Sequence, residues 1–222
     1  MNNSGFLKLL QALDSLFPIG TFTLSNGMET YVQKNLVFDE KTLTDFLNAF
    51  IYVLPYNDLG FAAKAAQGED FKLIDEICTA SKSPLELRSG SQKICTRFLK
   101  VESTLGNYSF LQNYFKSIAE HECAGCHSVA VGLFILDTNT EIFQGLEMYC
   151  YSLLSSMVNH AVKLVPLRQL DGQRSLAKAM EKIPQAVKQS LEIKIEDLGI
   201  GGTGFDLRSM EHEKLYSRLY IS

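Results

Sequence analysis

The string Cys-Ala-Gly-Cys-His, Cys123 to His127, has the C-x-x-C-H spacing that attaches a c-type haem through two thioethers, with the histidine as axial iron ligand. That attachment normally takes place outside the cytoplasm. The chain opens MNNSGFLKLLQALDSLF, with one lysine, an amphipathic pattern and no small-residue cleavage site, so it does not read as an export signal. The same stretch offers His121, Cys123, Cys126 and His127, two imidazoles and two thiols of the kind zinc and nickel accept. Their closeness counts against a closed tetrahedral site, whose ligand pairs are usually separated by a longer loop. Glu120 and Glu122 flank the thiols and oppose the thiolate form that metal binding and redox chemistry need. A small haem or metal-binding redox protein is thus the alternative reading. The favoured one is two small apolar cysteines in an interhelical turn beside a packed histidine.

Gly199 to Gly204, Gly-Ile-Gly-Gly-Thr-Gly, satisfies the dinucleotide fingerprint G-x-G-x-x-G. The fingerprint needs a strand before it, a helix after it and an acidic residue about twenty positions on. Only 18 residues follow Gly204, so a flexible glycine loop leading into a last short helix is expected instead. His121, His127, His160 and His212 show no H-E-x-x-H spacing, and neither a nucleotide P-loop nor a G-x-S-x-G elbow occurs. No catalytic constellation is apparent, and the chain reads as a non-enzyme.

Any site must be positioned by helices. Phe6, Leu9, Leu10, Leu13, Leu16 and Phe17 recur at steps of three and four up to Pro18, as do Leu43, Phe46, Leu47, Phe50, Ile51 and Leu54 up to Pro55. Ser83, Pro84 and Glu86 suggest an N-cap, a first helical position and a capping box for a helix reaching about Leu105. A second box, Thr138 to Glu141, precedes an apolar stripe that ends at Pro166, and this helix of about 25 residues is expected to form the central core. Leu191, Ile193 and Ile195 alternate with polar residues but have no second strand to pair with. The fold class is therefore all-α, one domain over residues 1–222 with about eight to eleven helices.

Of the 222 residues, 46% are hydrophobic and 21% charged, and the net charge of −4 leaves no basic footprint for nucleic acid. No apolar run is long enough to span a bilayer. Five cysteines without an export signal suit a reducing, cytoplasmic setting without structural disulfides.

Between the first two helices lies LFPIGTFTLSNGMETYV, Leu16 to Val32, which interrupts the helical pattern with Pro18, Gly20 and a run of hydroxyl residues. This stretch resembles the signature of the UreF family of urease accessory proteins: a Pro-x-Gly turn, hydroxyl and aromatic residues, then Gly-x-Glu. The matching positions are Pro18, Gly20, Thr21, Phe22, Ser25, Gly27 and Glu29. Three more blocks match in order: SPLELRSGSQKICTRFLK, with Arg88, Gln92 and Arg97; VKLVPLRQLDGQ, with Gln169, Asp171 and Gln173; and the end of the chain, where Tyr216, Ser217, Arg218 and Leu219 precede Tyr220. His127 also falls where the family carries a histidine ahead of a glycine-containing helix, whereas Cys123 and Cys126 depart from its pattern.

The resemblance implies an all-α, non-catalytic protein that dimerises and docks other proteins through these residues. It implies a partner UreD, also called UreH, a recruited GTPase UreG, and an assembly that loads nickel into apo-urease. On that picture the chain holds no tight cofactor, nickel passes in transit, and residues 205–222 are a partner-binding tail, ordered on binding from Tyr216 onward. A plainer reading of the Pro18–Glu29 turn, that it redirects the chain between two packed helices, is compatible with the docking role.

Overall fold

The segment His127–Asp137, HSVAVGLFILD, is apolar around its whole circumference, so a helix made from it has to be buried on every side. The computed structural model describes residues 3–21 and 24–220 and places that helix, α8, at the centre. Its closest neighbour is α4 (Asp58–Ala66), whose sequence DLGFAAKAA supplies small side chains for a tight crossing. Gly132 is required there, because a β-carbon on it would stand 2.3 Å from the carbonyl oxygen of Ala62. Lys64, on the buried α4, is accommodated because its Nζ donates to the Leu191 carbonyl (3.0 Å) and to Gln67 Oε1 (2.9 Å).

Around this pair stand α1 (Asn3–Leu13), α2 (Met28–Gln33), α3 (Glu40–Val53), α5 (Phe71–Ser81), α6 (Leu85–Leu105) and α7 (Ser109–Ala119). They are joined by α9 (Ile142–Leu164), α10 (Gln169–Met180), α11 (Ile183–Glu192) and α12 (Thr203–His212). Among the described residues there are eleven α-helices of nine residues or more, plus the six-residue α2, and no strand. The alternating stretch after Leu191 closes α11 and then makes a short 3-10 turn, Ile195–Asp197. No described helix is long and apolar enough to cross a membrane.

The sequence reading misplaces three details. The long helix α9 has 23 residues but is not the central element. It buries Leu146, Tyr149, Leu154, Met157 and Ala161 along one face and turns Ser152, Ser155, Ser156 and Asn159 the other way. Its N-cap is Glu141, which accepts from the N–H groups of Phe143 (3.0 Å) and Gln144 (2.7 Å), while Thr138 closes α8 instead. In α6 the cap is Pro84 rather than Ser83, and Glu86 turns away from its own helix end to serve another segment. The first helix stops at Leu13, short of Pro18, because Asp14 Oδ1 accepts from Leu16 N–H (2.7 Å) and its carbonyl accepts from Phe17 N–H (3.0 Å). The helix over 40–53 does end at its proline, as the pattern requires.

Candidate functional site

The Cys-x-x-Cys-His turn wraps a carboxylate. Asp75 on α5, only 1% exposed, accepts from the N–H groups of Ala124 (2.7 Å), Gly125 (3.1 Å) and Cys126 (3.0 Å), and from the Tyr114 hydroxyl. Successive N–H groups curled around one anion form a nest, and here the anion belongs to the protein itself. Cys126 is the N-cap of α8, so the nest also fixes where that helix starts.

The surroundings oppose thiol chemistry. Burial, helped by the nearby Asp75 charge, pushes the Cys123 thiol up to about 12, and burial raises Cys78 and Cys95 as well. His121 lies exposed in the turn, and among the described residues no three His, Cys, Asp or Glu side chains converge as metal ligands. The four candidate ligands His121, Cys123, Cys126 and His127 therefore do not converge as one metal centre. His127 opens α8 with its ring edge-on to Phe98 (5.5 Å between centroids) and Tyr149 (6.2 Å). Burial draws its pKa down to about 4, so the ring is neutral at pH 7, and its Nε2 has no hydrogen-bond partner among the described residues.

A second buried carboxylate gathers segments that are far apart in the chain. Gly27, at φ +80°, is the N-cap of α2, a backbone geometry that favours glycine, and it lies against Ser209 of α12. Two residues on, Glu29 is 4% exposed and accepts from Leu219 N–H (2.7 Å) and Tyr220 N–H (3.2 Å). The same carboxylate lies 3.1 Å from His212 Nε2, and the other ring nitrogen, Nδ1, is 2.7 Å from Glu86 Oε2. Glu86 Oε1 accepts from Arg218 Nη1 (2.7 Å). His212 is fully buried, and its two ring nitrogens bridge the carboxylates of Glu29 and Glu86. One cluster, Glu29–His212–Glu86–Arg218, thus joins the interrupted segment, the start of α6 and the end of the chain.

The remaining site candidates divide. Arg88 Nη1 donates to the carbonyls of Lys82 (2.7 Å) and Ser83 (3.2 Å), satisfying the chain just past α5. Arg97 lays its guanidinium where a side chain on Gly20 would have to stand. Gln92 is half-buried between them on α6, Pro18 is exposed, Thr21 half-buried, and Ser25 buried with its hydroxyl unpartnered among the described residues. Phe22 lies outside the described residues. Asp171 takes the backbone N–H and guanidinium of Arg168 (3.1 Å each) and the guanidinium of Arg174. Arg174 in turn donates to Glu40 on α3 (2.8 Å), so Asp171 fastens α10 to its neighbour, while Gln169 and Gln173 face solvent.

Within the segment 205–222 expected to bind a partner, α12 occupies 203–212 and the rest runs on from it. Its described part is seated on the fold: Gln33 Nε2 donates to the Ser217 carbonyl (2.8 Å), and Tyr220 packs edge-on to His160 at 4.8 Å. Tyr216 and Leu219 point outward. The glycine loop runs into α12 as expected, with Gly199, Gly201 and Gly202 at positive φ. Beside these elements a cavity of about 1190 Å³ opens between the Pro18–Ile19 turn, the serine face of α9 and the two histidines His127 and His160.

No motif announced the clasp around His212, because its partners lie 126 and 183 positions away and neither is a sequence neighbour. A family model described as UreF matches residues 37–180. The chain is 35% identical over 221 residues to a urease accessory protein UreF of Actinobacillus pleuropneumoniae serotype 5b (strain L20), covering 96% of this chain and 97% of that protein. It is 32% identical over 221 residues to the protein of the same name from Haemophilus influenzae (strain PittGG), covering 96% and 94%. The Arthrobacter sp. (strain FB24) protein of that name is 31% identical over 218 residues, covering 97% and 96%. With a model match over more than half its length and relatives of this similarity along nearly all of it, the chain belongs to the UreF family of urease accessory proteins.

Proposed function

We propose that this protein is a non-enzymatic, cytoplasmic scaffold that bridges UreD (UreH) and the GTPase UreG, works as a homodimer, and helps pass nickel to apo-urease. Nickel is cargo in this reading, carried in transit by the assembly and not held as a cofactor. The supporting observation is the clasp: Glu29, His212, Glu86 and Arg218 bring three separated family blocks together and leave Tyr216 and Leu219 outward beside them. An exposed aromatic and an exposed leucine next to an arginine suit an interface anchor better than a solvated chain end. Glu29, Arg88 and Asp171 then serve by holding the docking face in shape, while Pro18, Gln92, Gln169, Gln173, Tyr216 and Leu219 are available for contact.

Co-purification tests the reading. The tagged chain should capture UreD (UreH) and, through that pair, UreG. Deleting residues 216–222 should abolish capture of UreD while the helical circular dichroism persists. Undiminished capture by the truncated chain would remove the tail from the interface, and failure of the intact chain to capture either partner would reject the bridging role.

A further inference from the structure

Residues 217–220 are held by a lopsided set of forces. Tyr216 and Leu219 are exposed, and of the described tail side chains only Tyr220 is buried, at 7% exposure. Its hydroxyl finds no hydrogen-bond partner among the described residues, so the seat beside His160 grips a ring and nothing else. Apolar burial of one side chain is a weak hold for a chain end. Apart from the bond from Gln33 to Ser217, the described polar contacts of the segment converge on two carboxylates. Glu29 holds the Leu219 and Tyr220 N–H groups, and Glu86 holds Arg218. Both carboxylates are bridged by one imidazole, that of His212. Charge-assisted bonds of this kind are about twice as strong as neutral ones, and losing the shared ring would leave two buried or half-buried carboxylates facing each other. The segment is therefore fastened at one point, by charge.

What it covers is specific. His160 is 2% exposed, lines the cavity beside α9, and has Nδ1 unpartnered among the described residues. Tyr220 lies against that ring. We propose that residues 217–220 form a strap, latched by Glu29, His212, Glu86 and Arg218, that covers the His160 ring at the cavity wall and uncovers it when the latch is broken. The strap is a conformational device of the free chain and does not depend on which partners the protein has.

The test is chemical access to His160 in the full chain, read by diethyl pyrocarbonate modification and peptide mass spectrometry, with exposed His121 as internal reference. His160 should react far more slowly than His121 in the wild-type protein. Removing residues 217–222 should bring its rate up by about tenfold or more, the change expected when one charge-assisted contact set is lost. Glu29→Gln should do the same and should raise amide hydrogen exchange in the C-terminal peptide with little change elsewhere. If Glu29→Gln loses its helical signal, Arg218→Met, which breaks the latch from the solvent side, takes its place with a smaller rise. A wild-type His160 as reactive as His121, or a truncated chain whose His160 stays protected, would overturn the closure. Unchanged C-terminal exchange in folded Glu29→Gln or in Arg218→Met would overturn the latch.

Discussion

Asp75 and Glu29 are both buried carboxylates that collect backbone N–H groups from a remote segment, and they do so in opposite company. Around Asp75 the donors are neutral: three consecutive N–H groups of the Ala124–Cys126 turn and the Tyr114 hydroxyl. Glu29 shares its strap N–H groups with an imidazole, and beyond that ring stand a second carboxylate and a guanidinium. The first arrangement is enclosed by α5, α7 and α8 with Ala124 alone at its exposed edge, whereas the second runs from the interior to the exposed Arg218. The segment that looks most like chemistry in the sequence is scaffolding. Where three family blocks meet, the motifs supply Glu29 and Arg218, but nothing in the sequence pairs them through His212.

The largest expected difference between the two follows from that company. Asp75→Ala removes the shared acceptor of three N–H groups and a tyrosine hydroxyl, leaving the Cys126 N–H only its bond to Tyr114 Oη (2.7 Å), a loss on the order of 3–5 kcal/mol of global stability. Glu29→Gln should loosen the strap and cost the whole fold much less, since what it frees can reach water. Urea unfolding of both variants at pH 7 checks this. A Glu29→Gln loss equal to that of Asp75→Ala would mean the clasp is as much a part of the core as the nest.

Much of the frame could be read from spacing, because helix periodicity and prolines act locally. The stop at Pro55 and the end of α6 at Leu105 follow from residues within one turn of the boundary. The misplacements have tertiary or competing local causes. Glu86 has the spacing of a capping box, but His212 and Arg218 offer it a charged partner that the helix end cannot match. The early end of α1 comes from Asp14, whose side chain closes a turn before Pro18 is reached. The central place of α4 was hidden by Lys64, which reads as a surface residue until the Leu191 carbonyl is brought to it. His212 and Glu29 could not be paired in advance, since nothing local in either segment refers to the other.

The histidines sharpen the comparison through pH. Burial lowers His160 and His127 from 6.5 to about 4, so the folded protein binds fewer protons than the unfolded chain between those values. Stability is thus unaffected by these rings above about pH 7 and declines as pH falls through 6.5, reaching its full loss only below about 4. For His160 the interval corresponds to roughly 3 kcal/mol, and His127, a residue with more surface beside the cavity, is the one whose share solvent can screen. His160→Phe should flatten the fall of the urea midpoint between pH 7 and pH 4, and His127→Phe should flatten it less. A wild-type profile that is level over this range would show that water reaches both rings freely, and with it the claim that the strap seals His160 would lose its electrostatic support.

The smallest effect should come from the two residues that first drew attention. The Cys126 sulfur makes weak contacts, with Thr79 Oγ1 at 3.4 Å, the Asp75 carbonyl at 3.9 Å and the Cys78 thiol, which a serine hydroxyl can take over. Cys123 sits at the rim of the nest, and its raised thiol offers no thiolate to lose. The nest uses the backbone of this turn, which Cys123→Ser with Cys126→Ser leaves intact, so the double variant should lose about 1 kcal/mol and keep urease activation in complemented cells. His127→Ala should weaken activation, since it removes the ring that sits between Phe98 and Tyr149 at the head of α8 and at the wall of the cavity. Loss of activation in the serine variant at unchanged stability, with full activity in His127→Ala, would reverse this ranking. The sulfur atoms would then be the working part of the turn, and the Asp75 nest would be the means of holding them there.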